Sequence, residues 1–66
     1  RNKVLQIAFA MRLNLRETNR ILRAAGASDL YCKNRRDAII IFCLDKGYRL
    51  QKTNEELYRF DEETIC

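Results

Sequence analysis

The stretch Asn34-Arg35-Arg36-Asp37-Ala38-Ile39-Ile40-Ile41-Phe42-Cys43-Leu44-Asp45-Lys46-Gly47 decides the fold. Its middle, Ala38 to Leu44, is apolar on every side. Ile39-Ile40-Ile41-Phe42 has the β-branched and aromatic makeup of a buried strand, so a strand competes with a helix here. The residues on either side favour the helix. Asn34 is a good N-cap, and Asp37 puts negative charge in the first turn, where the helix dipole welcomes it. Gly47 is a stop that accepts the left-handed conformation. Apolarity all round predicts the central, most buried helix of the molecule. Phe42 belongs to that expected core, and Phe42→Ala is expected to cost about 3–5 kcal/mol.

Outward from this stretch, the chain repeats itself. Arg1 to Tyr31 lies over Arg36 to Cys66 at an offset of 35 residues without gaps. Arg1 falls on Arg36, Leu15 on Leu50, Thr18 on Thr53, Asn19 on Asn54 and Leu22 on Leu57. Val4, Leu5, Ala8 and Leu30 fall on the similar Ile39, Ile40, Cys43 and Ile65. Such self-similarity marks a repeated supersecondary unit. Amphipathic helices could share Leu positions by chance, but two Thr-Asn pairs in one phase are harder to produce that way.

Each copy reads as helix, short turn, helix. Asn2 is placed to cap a first helix reaching about Arg12, with Val4, Ile7, Ala8 and Met11 following the i, i+3, i+4, i+7 rule. Leu5 and Phe9 widen that stripe. Asn14 and Glu17 have capping-box spacing at the start of a second helix. Leu15, Thr18, Leu22 and Ala25 form its inner face, and Gly26 ends it. The fourth helix runs from about Leu50 to Phe60, with Leu50, Thr53, Leu57 and Phe60 inward. Arg49 stands where the first copy has its capping Asn14, so this helix start is less well fixed, and Asp61 stands where the first copy has Gly26. The expected fold is all-α: a four-helix module made of two repeated helical hairpins, packed through the Ala38 to Leu44 helix. It forms a single domain over residues 1–66, with hairpin 1 at 1–31 and hairpin 2 at 32–66. Val4, Ile7, Ala8, Met11, Leu15, Leu22, Ile41, Phe42, Leu57 and Phe60 are the expected interior.

A chain of 66 residues buries only about 60% of its unfolded surface, so the core is marginal and a partner would help it. The longest apolar run is far short of the roughly 20 residues of a membrane span, and no signal-peptide pattern is present. Opening on Arg1 rather than Met reads as the ordered part of a longer protein, with processing as the other explanation. Cys32, Cys43 and Cys66 show no C-x-x-C spacing and there is no His, so no metal site and no cofactor is expected. Cys43 reads as a core thiol and the other two as loop or end thiols, which fits a reducing cytoplasm. Without His there is no ordinary proton shuttle near neutral pH, and no phosphate loop or nucleophile elbow appears. The expectation is a binding protein, not an enzyme, with no small-molecule substrate.

The net charge of +4 hides an asymmetry. Arg1 to Arg36 carries nine basic residues against two acidic ones, a net of +7, whereas Asp37 to Cys66 carries four against seven, a net of −3. Arg12, Arg16, Arg20 and Arg23 recur at helical spacing along the first hairpin. Lys33, Arg35 and Arg36 form a second basic cluster. These seven residues could contact nucleic acid phosphates or an acidic partner, or form a solvated face with local ion pairs. Glu55, Glu56, Asp61, Glu62 and Glu63 would suit head-to-tail pairing of copies. The repeated polar pair Thr18-Asn19 and Thr53-Asn54 also has two readings. Asn is unfavourable in mid-helix, so each amide either satisfies nearby backbone groups or marks a recognition position on a binding face.

The segment Arg1-Asn2-Lys3-Val4-Leu5-Gln6-Ile7-Ala8, then Leu13-Asn14-Leu15-Arg16-Glu17-Thr18-Asn19, Ile21-Leu22 and Ala24-Ala25-Gly26 resembles the last two helices of Cro/CI-type domains. These are the lambda-repressor-like, or XRE, helix-turn-helix transcriptional regulators. Arg35 through Ile65 looks like a C-terminal extension found on some bacterial members. The resemblance implies a cytoplasmic bacterial or phage regulator, with DNA read through an upstream domain. Nothing here matches the DNA-reading helix, so no base-contacting role carries over to any residue. What remains is a C-terminal helical part serving scaffolding and association with itself or a protein partner. The alternatives are direct phosphate binding by the Arg stripe and a free-standing helical-repeat peptide binder.

Overall fold

A computed structural model describes residues 1–65 and consists of four α-helices: α1 (Asn2–Ala10), α2 (Leu15–Ala24), α3 (Arg35–Lys46) and α4 (Leu50–Arg59). No strand occurs among the described residues. The protein is an all-α module of two helical hairpins, and the sequence repeat is carried into its hydrogen bonds.

The helix ends show this most directly. Asn14 Oδ1 accepts from Glu17 N at 2.8 Å and Glu17 Oε1 accepts from Asn14 N at 3.0 Å, a complete capping box. Asn34 Oδ1 accepts from Asp37 N at 3.0 Å. Arg49, at the start of α4, makes no side-chain cap. Asn2 does not cap α1. It is the first helical residue, Arg1 takes the cap position, and the Asn2 amide oxygen accepts instead from Arg36 Nη2 at 3.1 Å. All four helices stop on a left-handed residue: Arg12 (φ 56°), Gly26 (77°), Gly47 (73°) and Asp61 (62°). After each, the next N–H reaches back five residues, from Leu13 to Ala8 O, Ala27 to Leu22 O, Tyr48 to Cys43 O and Glu62 to Leu57 O. This closes carbonyls that the helix end would otherwise leave open. Arg12 and Gly47 are mates in the repeat, as are Gly26 and Asp61, so the backbone conformation repeats where the residue type does not.

The core is also built of mates. Leu5 and Ile40, Ala8 and Cys43, Phe9 and Leu44, Thr18 and Thr53, Leu22 and Leu57, and Leu30 and Ile65 are all buried. Burial pushes the Cys43 thiol pKa up. Cys32 is an exposed free thiol, and Cys66 lies outside the described residues.

The expected interior is corrected at four positions, with Ile7 (48%), Met11 (65%), Phe42 (49%) and Phe60 (42%) exposed, and Ala25, expected on the inner face of α2, is its exposed C-cap. Val4, Leu15 and Ile41 are half-buried. On α1 two registers satisfy helical spacing, and the packed one runs through Leu5, Ala8 and Phe9, about 100° around the axis from Val4, Ile7 and Met11. Nor is α3 buried all round. With so few helices each keeps a solvent side, and α3 turns Ile40, Cys43 and Leu44 inward and Phe42 outward.

The hairpins meet reciprocally. Packing joins α1 to α2 and α3 to α4 within hairpins, and α1 to α4 and α2 to α3 between them. Arg1 forks onto the buried Asp37 carboxylate (2.8 and 3.1 Å), while its mate Arg36 bonds Asn2, the mate of Asp37. Arg1 also reaches Asp29 O, and Arg36 reaches the matching Thr64 O and the neighbouring Glu63 O. Arg12 Nη2 contacts the carbonyl of its own mate, Gly47. Exchanging mates turns the Arg1 bonds to Asp37 and Asp29 O into the Arg36 bonds to Asn2 and Thr64 O, the pattern of an approximate two-fold axis between hairpins. A solenoid, stacked in one direction, would not bring α1 against α4.

Candidate functional site

The repeated polar pair serves the fold. Thr18 and Thr53 are fully buried, and their hydroxyls donate to Asn14 O (2.7 Å) and Arg49 O (3.0 Å) one turn back. Asn19 Oδ1 accepts from Leu30 N at 2.9 Å, and Asn54 Oδ1 from Ile65 N at 2.7 Å. Asn54 Nδ2 also donates to Ile65 O at 3.2 Å. Each amide thus pins the segment that returns after the second helix of its hairpin, delivering Leu30 or Ile65 to the core. Mid-helix Asn is tolerated because it satisfies a backbone group that folding removes from water.

The basic residues divide into two groups. Arg36 belongs to the inter-hairpin network, Arg35 pairs with Glu62 and donates to Phe60 O at 2.8 Å, and Arg12 touches Gly47 O. Arg23 binds Asp29 at 2.8 Å. That hydrogen bond holds the Asp29 carboxyl below its usual pKa and raises that of Arg23. Arg16, Arg20 and Lys33 are exposed and make no ion pair among the described residues. The seven-residue basic set is therefore not one continuous surface of free cations.

An apolar surface on α3 escaped the reading of the sequence, because its residues were assigned to the interior. Phe42 stands on a ridge. On one side a groove of about 540 Å³ lies between α3 and α4, lined by Ala38, Ile39 and Phe60 with Arg35, Glu56 and Arg59 at its rim. On the other side a second groove lies between α2 and α3, with Leu15 and Ile41 in it and Arg16 and Asp45 among its lining residues. The Phe42 ring meets Tyr48 edge-on at 6.2 Å, with Lys46 Nζ 5.5 Å above it. The signal that could have found this surface is the all-round apolarity of α3 itself. One helix in a four-helix module cannot bury every side.

The repeat supplies an internal control. Hairpin 1 presents Ile7 where hairpin 2 has Phe42, Ala25 where it has Phe60, and Lys3 where it has Ala38. The two hairpins share a backbone and a core, so that architecture forms without an aromatic ring at either place.

Among the described residues no helix is long and apolar enough to cross a membrane, and no group of three or more His, Cys, Asp or Glu side chains could hold a metal ion. Comparison with protein-family models, curated proteins and solved structures returned no match.

Proposed function

We propose that this chain is a protein-association module, the C-terminal helical part of a helix-turn-helix transcriptional regulator of bacterial, cytoplasmic type. One observation carries the association reading: Phe42 and Phe60 stay about half exposed around an apolar groove, at positions where the matched hairpin has Ile7 and Ala25. Exposed apolar patches with polar rims mark interaction surfaces, and aromatic anchors dominate their energetics. The regulator context rests on the resemblance of Arg1 to Gly26.

The test is site-specific photo-crosslinking in the cells that make the protein. A photoreactive side chain at position 42 or 60 is expected to capture protein, and one at the exposed Lys3 is expected to capture none. Equal or absent capture at all three positions would overturn the association reading.

Nucleic-acid binding is the second reading, favoured by the unpaired Arg16, Arg20 and Lys33. It predicts duplex binding whose affinity falls steeply with salt, and a shallower salt slope in Arg20→Gln. Salt-insensitive or absent binding removes it.

A further inference from the structure

We infer that the partner taken up on the α2–α3 side of Phe42 is a second copy of this chain, paired about a two-fold axis that sets Arg16 of each copy against Asp45 of the other. This deepens the association reading above and rests on it.

Two independent observations carry it. The first is charge complementarity within one surface. Arg16 and Asp45 line the same groove, with Leu15, Ile41 and Phe42. Both are exposed, and neither has an ion-pair partner among the described residues. A face holding one unpaired cation and one unpaired anion beside apolar side chains is complementary to itself. A two-fold axis lying in the face and running between the two charges satisfies both at once, and lays apolar surface on apolar surface.

The second observation is that both charges stand at the wrong ends of their helices. Arg16 is the second residue of α2, where the dipole favours an anion, and Asp45 is the last residue but one of α3, where it favours a cation. Neither placement helps its own helix, and the matched groove, between α1 and α4, has Gln51 and Ala10 instead. The fold therefore does not need the pair, and an opposite charge from outside would compensate both.

A standard interface takes about 800 Å² from each partner, about a sixth of this protein's 4655 Å² surface, so the ridge and both grooves would be involved. The expected dimer is salt-sensitive because the charges lie at the surface.

Sedimentation equilibrium of the full chain over about a hundredfold concentration range tests this. The wild type is expected to show a monomer–dimer equilibrium. Arg16→Asp and Asp45→Arg alone should each weaken the dimer at least about tenfold. Both substitutions suit the helix dipole, so thermal melting of the monomers should hold or rise, which separates lost pairing from lost fold. The double variant Arg16→Asp/Asp45→Arg should recover dimerisation, an outcome that phosphate binding by Arg16 would not give. A wild type monomeric throughout, or single variants that pair like the wild type, would overturn the inference. If crosslinking at position 42 still captures a different protein, the association reading stands and only the second copy is wrong. If neither self-pairing nor capture occurs, both fall.

Discussion

Truncating two neighbours on α3 separates the inside of this protein from its surface. Ile40 is fully buried, so Ile40→Ala loses its transfer energy and leaves a cavity, together about 2–5 kcal/mol. Phe42 is 49% exposed. A phenyl side chain presents about 200 Å², so about 100 Å² leaves water on folding, worth at most about 2.5 kcal/mol at 25 cal/mol per Å². Alanine keeps part of that burial and returns about 0.5 kcal/mol of helix propensity, while loss of the edge contact with Tyr48 adds about 0.5–1 kcal/mol. Phe42→Ala should therefore cost about 1–2 kcal/mol, well below the 3–5 kcal/mol of a core phenylalanine. A domain of this size has a total stability of about 3–10 kcal/mol. Urea denaturation followed by far-ultraviolet circular dichroism reads the difference directly. With a slope near 1 kcal/mol per molar urea, Phe42→Ala should move the midpoint down by about 1–2 M, and Ile40→Ala should approach unfolding without denaturant. The measurements belong at the lowest workable concentration, where the proposed self-pairing would add least to stability. Equal losses in the two variants would refute the packing described here and place Phe42 inside.

Other outcomes follow from the repeat. Asn54→Ala should destabilise by about 1–2 kcal/mol because it strands the Ile65 N–H, and Asn19→Ala by somewhat less because that amide makes one described bond rather than two; equilibrium melts rank them. Asp61→Gly should stabilise by about 0.5–1 kcal/mol by relieving the left-handed residue after α4, and Gly26→Asp should cost about 1 kcal/mol although open space surrounds its Cα; thermal denaturation of the pair tests both signs. Asp29 should titrate below the ordinary carboxylate value of about 3.9 and return toward it in Arg23→Gln, as read by carboxyl chemical shifts. Because the folded pKa is the lower one, this pair's stabilisation is present above about pH 4 and is lost as pH falls through the folded value.

The sequence by itself determined the four helices and the side-chain caps of α2 and α3. Those features depend on residues within a turn of each other, such as Asn14 with Glu17 and Asn34 with Asp37, or on the residue that ends a helix, such as Gly26 and Gly47. It also determined the repeat, because Thr18-Asn19 and Thr53-Asn54 occupy one register. Only the tertiary structure decided which apolar stripe of α1 turns inward, since Val4-Ile7-Met11 and Leu5-Ala8-Phe9 satisfy helical spacing equally and the choice belongs to the packing partners. The same holds for Arg1 and Arg36, whose partners Asp37 and Asn2 lie in the opposite hairpin and give no local signal. It holds most of all for Phe42. Hydrophobicity tells that a side chain gains by leaving water, but two hairpins closing on each other leave α3 an outer face, and the packing of the hairpins puts Phe42 on it.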